Sequence, residues 1–84
     1  MKITFKLFAT LTDYLPANRA PGNAIELDVP AEASILDIIE PFRLPTKLVH
    51  LVLVNGVFVP PAERASRRLA EGDVLAIWPP IAGG

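Results

Sequence analysis

Only one stretch of this chain has apolar residues at helical spacing, whereas most other apolar segments have the spacing of strands. A fold with one helix and several strands is therefore expected. The stripe consists of Ile35, Ile38, Ile39 and Phe42. Ser34 and Asp37 have the spacing of a capping box, which predicts that the helix begins at this point. Because one short helix covers only one face of a sheet, we expect an α+β domain of two layers.

The remaining apolar segments predict a mixed sheet of four to five strands. They cover residues 2–8, 24–29, 48–54, 57–59 and 74–78. The first two alternate apolar and polar side chains, as half-buried strands do, whereas the third is almost entirely apolar, which is typical of a strand covered on both faces or nearly so. Asn55-Gly56 is a strong hairpin signal. This pattern favours the ubiquitin-like β-grasp fold, with one main helix across the sheet.

The composition excludes several classes of protein. In 84 residues, 51% are hydrophobic and 20% charged, which indicates a single folded domain and excludes disorder. A net charge of −1 gives no attraction for nucleic acid, and the apolar runs are too short to span a membrane. The amino-terminal residues lack a secretory pattern, so the cytoplasm is the expected compartment. The absence of cysteine excludes thiolate catalysis and sulfur-ligated metals.

Strand parity places three aromatic side chains on the face of the sheet that the helix leaves uncovered. If Leu75 and Ile77 point inward, Trp78 points outward, and Phe8 and Phe58 have the outward parity of their own strands. Clustered exposed aromatic side chains on a small domain usually mark an interaction site. We therefore predict that this face binds a partner protein.

Two further polar features allow both a structural and a functional interpretation. His50 is the single histidine, and its apolar neighbours favour a structural position within a strand over a catalytic one. Arg64, Arg67 and Arg68 form a small basic group before the last strand. A solvated loop is the favoured interpretation, and contact with an acidic partner surface is the alternative.

The last six residues combine two prolines with two glycines. We predict that residues 1–78 form the domain and residues 79–84 an extended tail. Pro79 and Pro80 stiffen its start, and Gly83 and Gly84 allow another surface to approach the backbone closely, as a narrow tunnel in a partner would require. A frayed end of small residues is the alternative.

Four segments together resemble the MoaD/ThiS sulfur-carrier family, most closely the small subunit of molybdopterin synthase. They are Lys6-Leu7-Phe8-Ala9, Leu53-Val54-Asn55-Gly56, Glu71-Gly72-Asp73-Val74 and Ile77-Trp78-Pro79-Pro80-Ile81-Ala82-Gly83-Gly84. The resemblance covers the whole chain and is most specific in the tail. It implies a β-grasp fold and a Gly84 carboxylate that is adenylated and then converted to a thiocarboxylate.

The resemblance also implies the partners. They would be the large subunit of molybdopterin synthase, in a heterotetramer, an adenylating enzyme that uses ATP, and a sulfur donor. The partner contacts would be Phe8, Phe58, Trp78, Pro79 and Pro80, and the threaded tail would be Ile81, Ala82, Gly83 and Gly84. Trp78 departs from the phenylalanine more usual in the family. No bound cofactor or metal is expected on this chain.

Other functions fit the same features. The chain could be a thiamine-pathway carrier, a ubiquitin-like modifier conjugated through Gly84, or an interaction module with an inert tail. The Pro-Pro-Ile-Ala spacer favours the pterin pathway, with molybdenum and tungsten both open.

Overall fold

The computed structural model describes residues 1–17 and 21–80. In these ranges the chain forms five strands and one α-helix: β1 (Lys2–Leu7), β2 (Ala24–Asp28), α1 (Ile35–Ile39), β3 (Leu51–Val54), β4 (Val57–Phe58) and β5 (Val74–Trp78). Short 3-10 helices cover Ala9–Tyr14, Glu40–Phe42, Thr46–Leu48 and Pro61–Glu63. The strands form one sheet in the order β2-β1-β5-β3-β4. The α+β class and the mixed β-grasp sheet are therefore confirmed.

The sheet is mixed because its two central strands run parallel. β1 pairs antiparallel with β2 and parallel with β5, and β3 pairs antiparallel with both β5 and β4. Asn55 and Gly56 form the tight turn between β3 and β4, with positive φ angles of 51° and 83°. The predicted hairpin is thus confirmed, and β5 lies in the middle of the sheet.

Helix α1 begins at the predicted capping box. The Asp37 backbone N–H donates to Ser34 Oγ at 3.1 Å, and the Ser34 backbone N–H donates to Asp37 Oδ2 at 3.1 Å. The hydrogen bond that the Ser34 backbone N–H donates to the carboxylate, followed by the effect of the Ser34 side chain, holds the pKa of Asp37 below its usual value. Both donors would otherwise be unpaired at the helix start, so the two side chains fix where α1 begins.

The core lies between α1 and the inner face of the sheet. Its fully buried side chains include Ile3, Phe5, Leu7, Ile35, Val52, Leu75 and Ile77. Phe42 lies in the 3-10 turn after α1, and the centroid of its ring is 4.8 Å from the centroid of the Phe5 ring. Leu75 and Ile77 are both completely buried, as the parity of the last strand predicts. Because side chains alternate along a strand, Trp78 points to the opposite face of the sheet.

The strand predicted over residues 48–54 is shorter than expected. Pro45 precedes a 3-10 turn in which Leu48 N–H donates to the Pro45 carbonyl, so β3 begins at Leu51. One face of this strand is fully covered and the other only in part. Leu51 and Leu53 are only half-buried, because they point to the face opposite α1.

Candidate functional site

The strand register shows which side chains share the sheet face opposite α1. The register aligns Trp78 with Leu51, and it aligns Ala76 with both Lys6 and Leu53. Leu53 in turn pairs with Phe58 on the edge strand. Side chains of paired residues share one face, so this surface is apolar from the end of β5 across to β4. We call it the aromatic face and define it as Phe8, Leu51, Leu53, Phe58, Ala76 and Trp78.

Phe8 and Trp78 are in direct ring contact on the aromatic face. Their rings are stacked, with centroids 3.9 Å apart and planes at 9°. The Phe8 backbone N–H donates to the Ile77 carbonyl at 3.1 Å, which continues the pairing of β1 with β5 past Leu7. Both rings are half-buried. The contact therefore fixes the orientation of two large apolar groups that still present surface to a partner.

Phe58 shares this face but is separated from the stacked pair by β3. It is 50% exposed in the two-residue edge strand β4. The structure thus places the three predicted aromatic residues on one face, and it brings two of them into contact. Their role in binding a partner stays a prediction.

The opposite end of the same face is charged. Lys2 Nζ lies 3.1 Å from Asp28 Oδ2 and 3.6 Å from Glu26 Oε1, and all three side chains are well exposed. The hydrogen bond to Asp28, with the nearby charges of Asp28 and Glu26, raises the pKa of Lys2. A partner therefore meets an apolar surface near the end of β5 and a polar one near its start.

The carboxyl end of β5 connects the aromatic face to the predicted tail. Trp78 is the last residue of β5, and its carbonyl accepts a hydrogen bond from the His50 N–H at 3.2 Å. Pro79 is half-buried and Pro80 is exposed. The predicted tail residues Ile81, Ala82, Gly83 and Gly84 lie outside the described residues, so their assigned roles stay predictions.

Arg64 contradicts the prediction of a solvated basic loop. It is only 6% exposed, and its guanidinium donates to the carbonyls of Val59 (3.2 Å), Val49 (3.0 Å) and His50 (2.9 Å). Burial lowers its pKa. Arg67 and Arg68 are exposed, as expected. Sequence reasoning missed Arg64 because its acceptors are backbone carbonyls, which no side-chain pattern reveals, and two of them lie in the separate segment that contains Val49 and His50.

His50 also differs from its predicted environment. It precedes β3 instead of lying within a strand, and its side chain is exposed. Its backbone forms the structural contacts, since its N–H donates to Trp78 and its carbonyl accepts from Arg64. The imidazole itself is therefore not part of the core.

A shallow apolar groove of about 220 Å³ lies on the helix side of the molecule. Leu36, Ile39, Leu44, Val49, Pro61 and Arg64 line it, together with Thr46. Leu36 is 42% exposed there. Sequence reasoning did not predict this groove, because its walls come from three separate segments.

Neither a metal centre nor a membrane segment is present in residues 1–17 and 21–80. No group of three or more His, Cys, Asp or Glu side chains within these ranges could hold a metal ion. No helix in them is sufficiently long and apolar to cross a bilayer.

Comparison with known families identifies the chain. Residues 1–82 match the family model described as Mut7-C ubiquitin. The chain belongs to this family. No curated protein matches the chain.

Several solved structures have the same fold as this chain. SAMP1 from Haloferax volcanii is 25% identical, with a TM-score of 0.69 and complete coverage of both chains. A second structure, H. volcanii small archaeal modifier protein 1, is 23% identical with a TM-score of 0.67, covering 95% of this chain and 98% of that one.

A third similar structure is a complex of subunits 1 and 2 of molybdopterin-converting factor from Helicobacter pylori. It is 15% identical, with a TM-score of 0.61 and complete coverage of both chains. The chain is therefore a small protein of the ubiquitin-like fold, and the predicted resemblance to the MoaD/ThiS family is confirmed at the level of this fold.

Proposed function

We propose that this protein is a sulfur carrier whose Gly84 carboxylate becomes a thiocarboxylate and donates sulfur in molybdenum or tungsten pterin cofactor biosynthesis. One observation carries the proposal. β5 leads directly from the stacked Phe8–Trp78 pair into Pro79 and Pro80, which precede the di-glycine sequence. A partner that binds the aromatic face is thereby positioned to receive the residues that follow.

The chemistry requires an activated carboxylate. Attack of a Gly84 carboxylate oxygen on the α-phosphate of ATP releases pyrophosphate and forms an acyl adenylate, whose AMP is a much better leaving group than oxide. A hydrosulfide donor then attacks the carbonyl carbon, and the bond to AMP breaks. The product is a thiocarboxylate, which is a sulfur nucleophile. Glycine suits this step because its lack of a side chain permits close approach.

Partners supply the catalytic groups in this proposal. An adenylating enzyme binds ATP, a sulfur donor delivers the sulfide, and the large subunit of a molybdopterin-synthase-like heterotetramer binds the pterin substrate. The similarity to a chain from the H. pylori complex of molybdopterin-converting factor subunits 1 and 2 supports a large-subunit partner.

The aromatic face has an energetic role in this assignment. Ordering six tail residues costs on the order of 6–12 kcal/mol of backbone entropy. Burial of apolar surface, at roughly 25 cal/mol per Å², offsets that cost, and the stiffness of Pro79 and Pro80 reduces it. Binding of the face and threading of the tail are therefore expected to act together.

The test is intact-mass measurement of the protein purified from its native cells with an amino-terminal tag. A fraction of the chains should carry the mass increase of one sulfur replacing one oxygen, and a variant lacking Gly84 should carry none. In vitro, the increase should require ATP. If the native protein shows no sulfur even when its adenylating enzyme is co-expressed and active on another carrier, the proposal is wrong.

A protein modifier is the second candidate, favoured by the full-length similarity to H. volcanii SAMP1. In that case the ε-amine of a lysine on a target attacks the activated Gly84 carbonyl and forms an isopeptide bond. Conjugates one domain mass heavier, in which mass spectrometry finds Gly84 joined to a lysine, would identify this function. They should disappear when Gly84 is deleted, whereas a dedicated sulfur carrier should yield none.

A further inference from the structure

The buried guanidinium of Arg64 joins two earlier segments of the chain. It donates to Val49 and His50 on one side and to Val59 on the other. Val59 follows β4, and His50 immediately precedes β3. The planar fork of arginine matches such a set of acceptors, whereas the ammonium of lysine is a point charge. Among the described residues no carboxylate forms an ion pair with Arg64.

The same contacts lead to the end of β5. The His50 carbonyl accepts from Arg64 Nη2 at 2.9 Å, and the His50 N–H donates to the Trp78 carbonyl at 3.2 Å. The peptide groups on both sides of His50 thus connect the guanidinium to the last residue of β5. Pro79 has no N–H and cannot donate a backbone hydrogen bond. The His50–Trp78 bond is therefore the last pairing on the β3 side before the prolines.

The other side of β5 provides an internal comparison. Phe8 N–H donates to the Ile77 carbonyl at 3.1 Å, one residue earlier than the bond from His50. Consecutive carbonyls of β5 are thus held from β1 and from the β3 segment, and Arg64 contacts only the latter. Loss of Arg64 should loosen one side of the strand end and leave the other in place.

We propose that Arg64 is a positioning residue that sets the direction in which the chain leaves β5. It acts through His50 and Trp78, and it presents the residues after Pro80 to the adenylating enzyme. The part of this inference that concerns presentation rests on the proposed function, whereas the coupling of Arg64 to the strand end does not.

The coupling is tested by amide hydrogen exchange of the full chain and of its Arg64→Met and Arg64→Lys variants. The His50 amide should exchange at least about tenfold faster in Arg64→Met, while the Phe8 amide changes no more than global stability requires. Arg64→Lys keeps the charge without the fork, so it should resemble Arg64→Met. An unchanged His50 amide in Arg64→Met overturns the inference.

Presentation is tested by adenylation kinetics, with Ile38→Val as the control for lost stability. Ile38 is a buried core residue whose aliphatic side chain forms no hydrogen bonds, so its truncation removes packing and no part of the Arg64 contact. Arg64→Met should raise the KM of the adenylating enzyme for the carrier by about tenfold with kcat within about twofold, whereas Ile38→Val should change neither. Equal KM values for the two variants overturn the presentation step.

The two proposals fail in different ways. If the wild-type chain is never adenylated, the proposed function is wrong, and the His50 amide still decides whether Arg64 controls the strand end. If the wild-type chain is adenylated and the Arg64 variants behave as Ile38→Val does, the carrier function stands and the role of Arg64 in presentation is wrong.

Discussion

The Phe8 and Trp78 rings lie nearly parallel with centroids 3.9 Å apart, and they join the end of β1 to the end of β5 where the sheet pairing stops. Neither ring is buried in the core, so the contact adds little to the interior packing. Its main consequence is that two apolar side chains are held in fixed positions beside Pro79. Pre-organised side chains lose less entropy when a partner binds.

Replacement of Trp78 by alanine should weaken partner binding more than folding. We expect the Kd for the proposed large-subunit partner to rise by about 10- to 100-fold, because large aromatic side chains at the centre of an interface dominate binding. The free energy of unfolding should fall by about 1–2 kcal/mol, since the stacked contact is lost. Calorimetric titration and urea unfolding measure the two quantities.

Leu36→Ala is the matched control for Trp78→Ala. Leu36 is an exposed apolar side chain on α1, on the opposite side of the sheet. The Leu36→Ala substitution should leave the Kd within about twofold of wild type. Equal losses of affinity for the two variants would show that the partner does not use the aromatic face.

Asn55 links the β3–β4 turn to the start of β5. Its Nδ2 donates to Asp73 Oδ1 at 2.9 Å, and its Oδ1 accepts from the Val74 N–H at 2.9 Å. Asn55→Gly retains a residue suited to φ of 51° but removes both bonds, so we expect a loss of about 1–2 kcal/mol in the free energy of unfolding. Urea unfolding measures this loss.

A double-mutant cycle with Asp73→Ala separates the side-chain pair from the bond to Val74. The Asn55–Asp73 coupling should be about 0.5–1.5 kcal/mol, because each single variant breaks the same hydrogen bond. Additive effects of the two substitutions would mean that the pair contributes nothing to stability.

Local signals explain why much of the fold could be predicted. Alternation in β1 and β2, the Asn55-Gly56 turn and the Ser34–Asp37 box each depend on residues a few positions apart. The shared face of Phe8 and Trp78 follows from strand parity. Their stacking does not, because it requires the parallel pairing of β1 with β5, which parity alone leaves open.

The errors arise where tertiary contacts or proline override a local pattern. The apolar run before Leu51 resembles a strand, but Pro45 begins a 3-10 turn instead. Arg64 resembles a solvated loop residue, and its burial depends on carbonyls that only the folded chain brings together. The groove beside Leu36 has the same origin.

Stability should fall in acid through Asp37. Hydrogen bonds from Ser34 lower the folded-state pKa of Asp37 below its usual value of 3.8, so its stabilising contribution is present at neutral pH. That contribution is lost as the pH falls from about 4 through the folded-state pKa. Asp37→Asn should therefore lower the urea midpoint at neutral pH and approach wild type in acid. A difference that is equal at both pH values would contradict this assignment.

The length of the tail should matter more to adenylation than the chemistry of its second proline. Deletion of Pro80 shortens the distance that the chain can span from Trp78 to the Gly84 carboxylate by about 3.5 Å. A displacement of this size at a reacting carbon can reduce the rate by about 100-fold or more. Pro80→Ala keeps the length and loses only stiffness, so its kcat/KM should stay within about threefold of wild type. Pyrophosphate release with the adenylating enzyme measures both variants, and urea unfolding should show equal stability because Pro80 is exposed. If deletion and substitution reduce kcat/KM equally, the tail does not have to span a fixed distance.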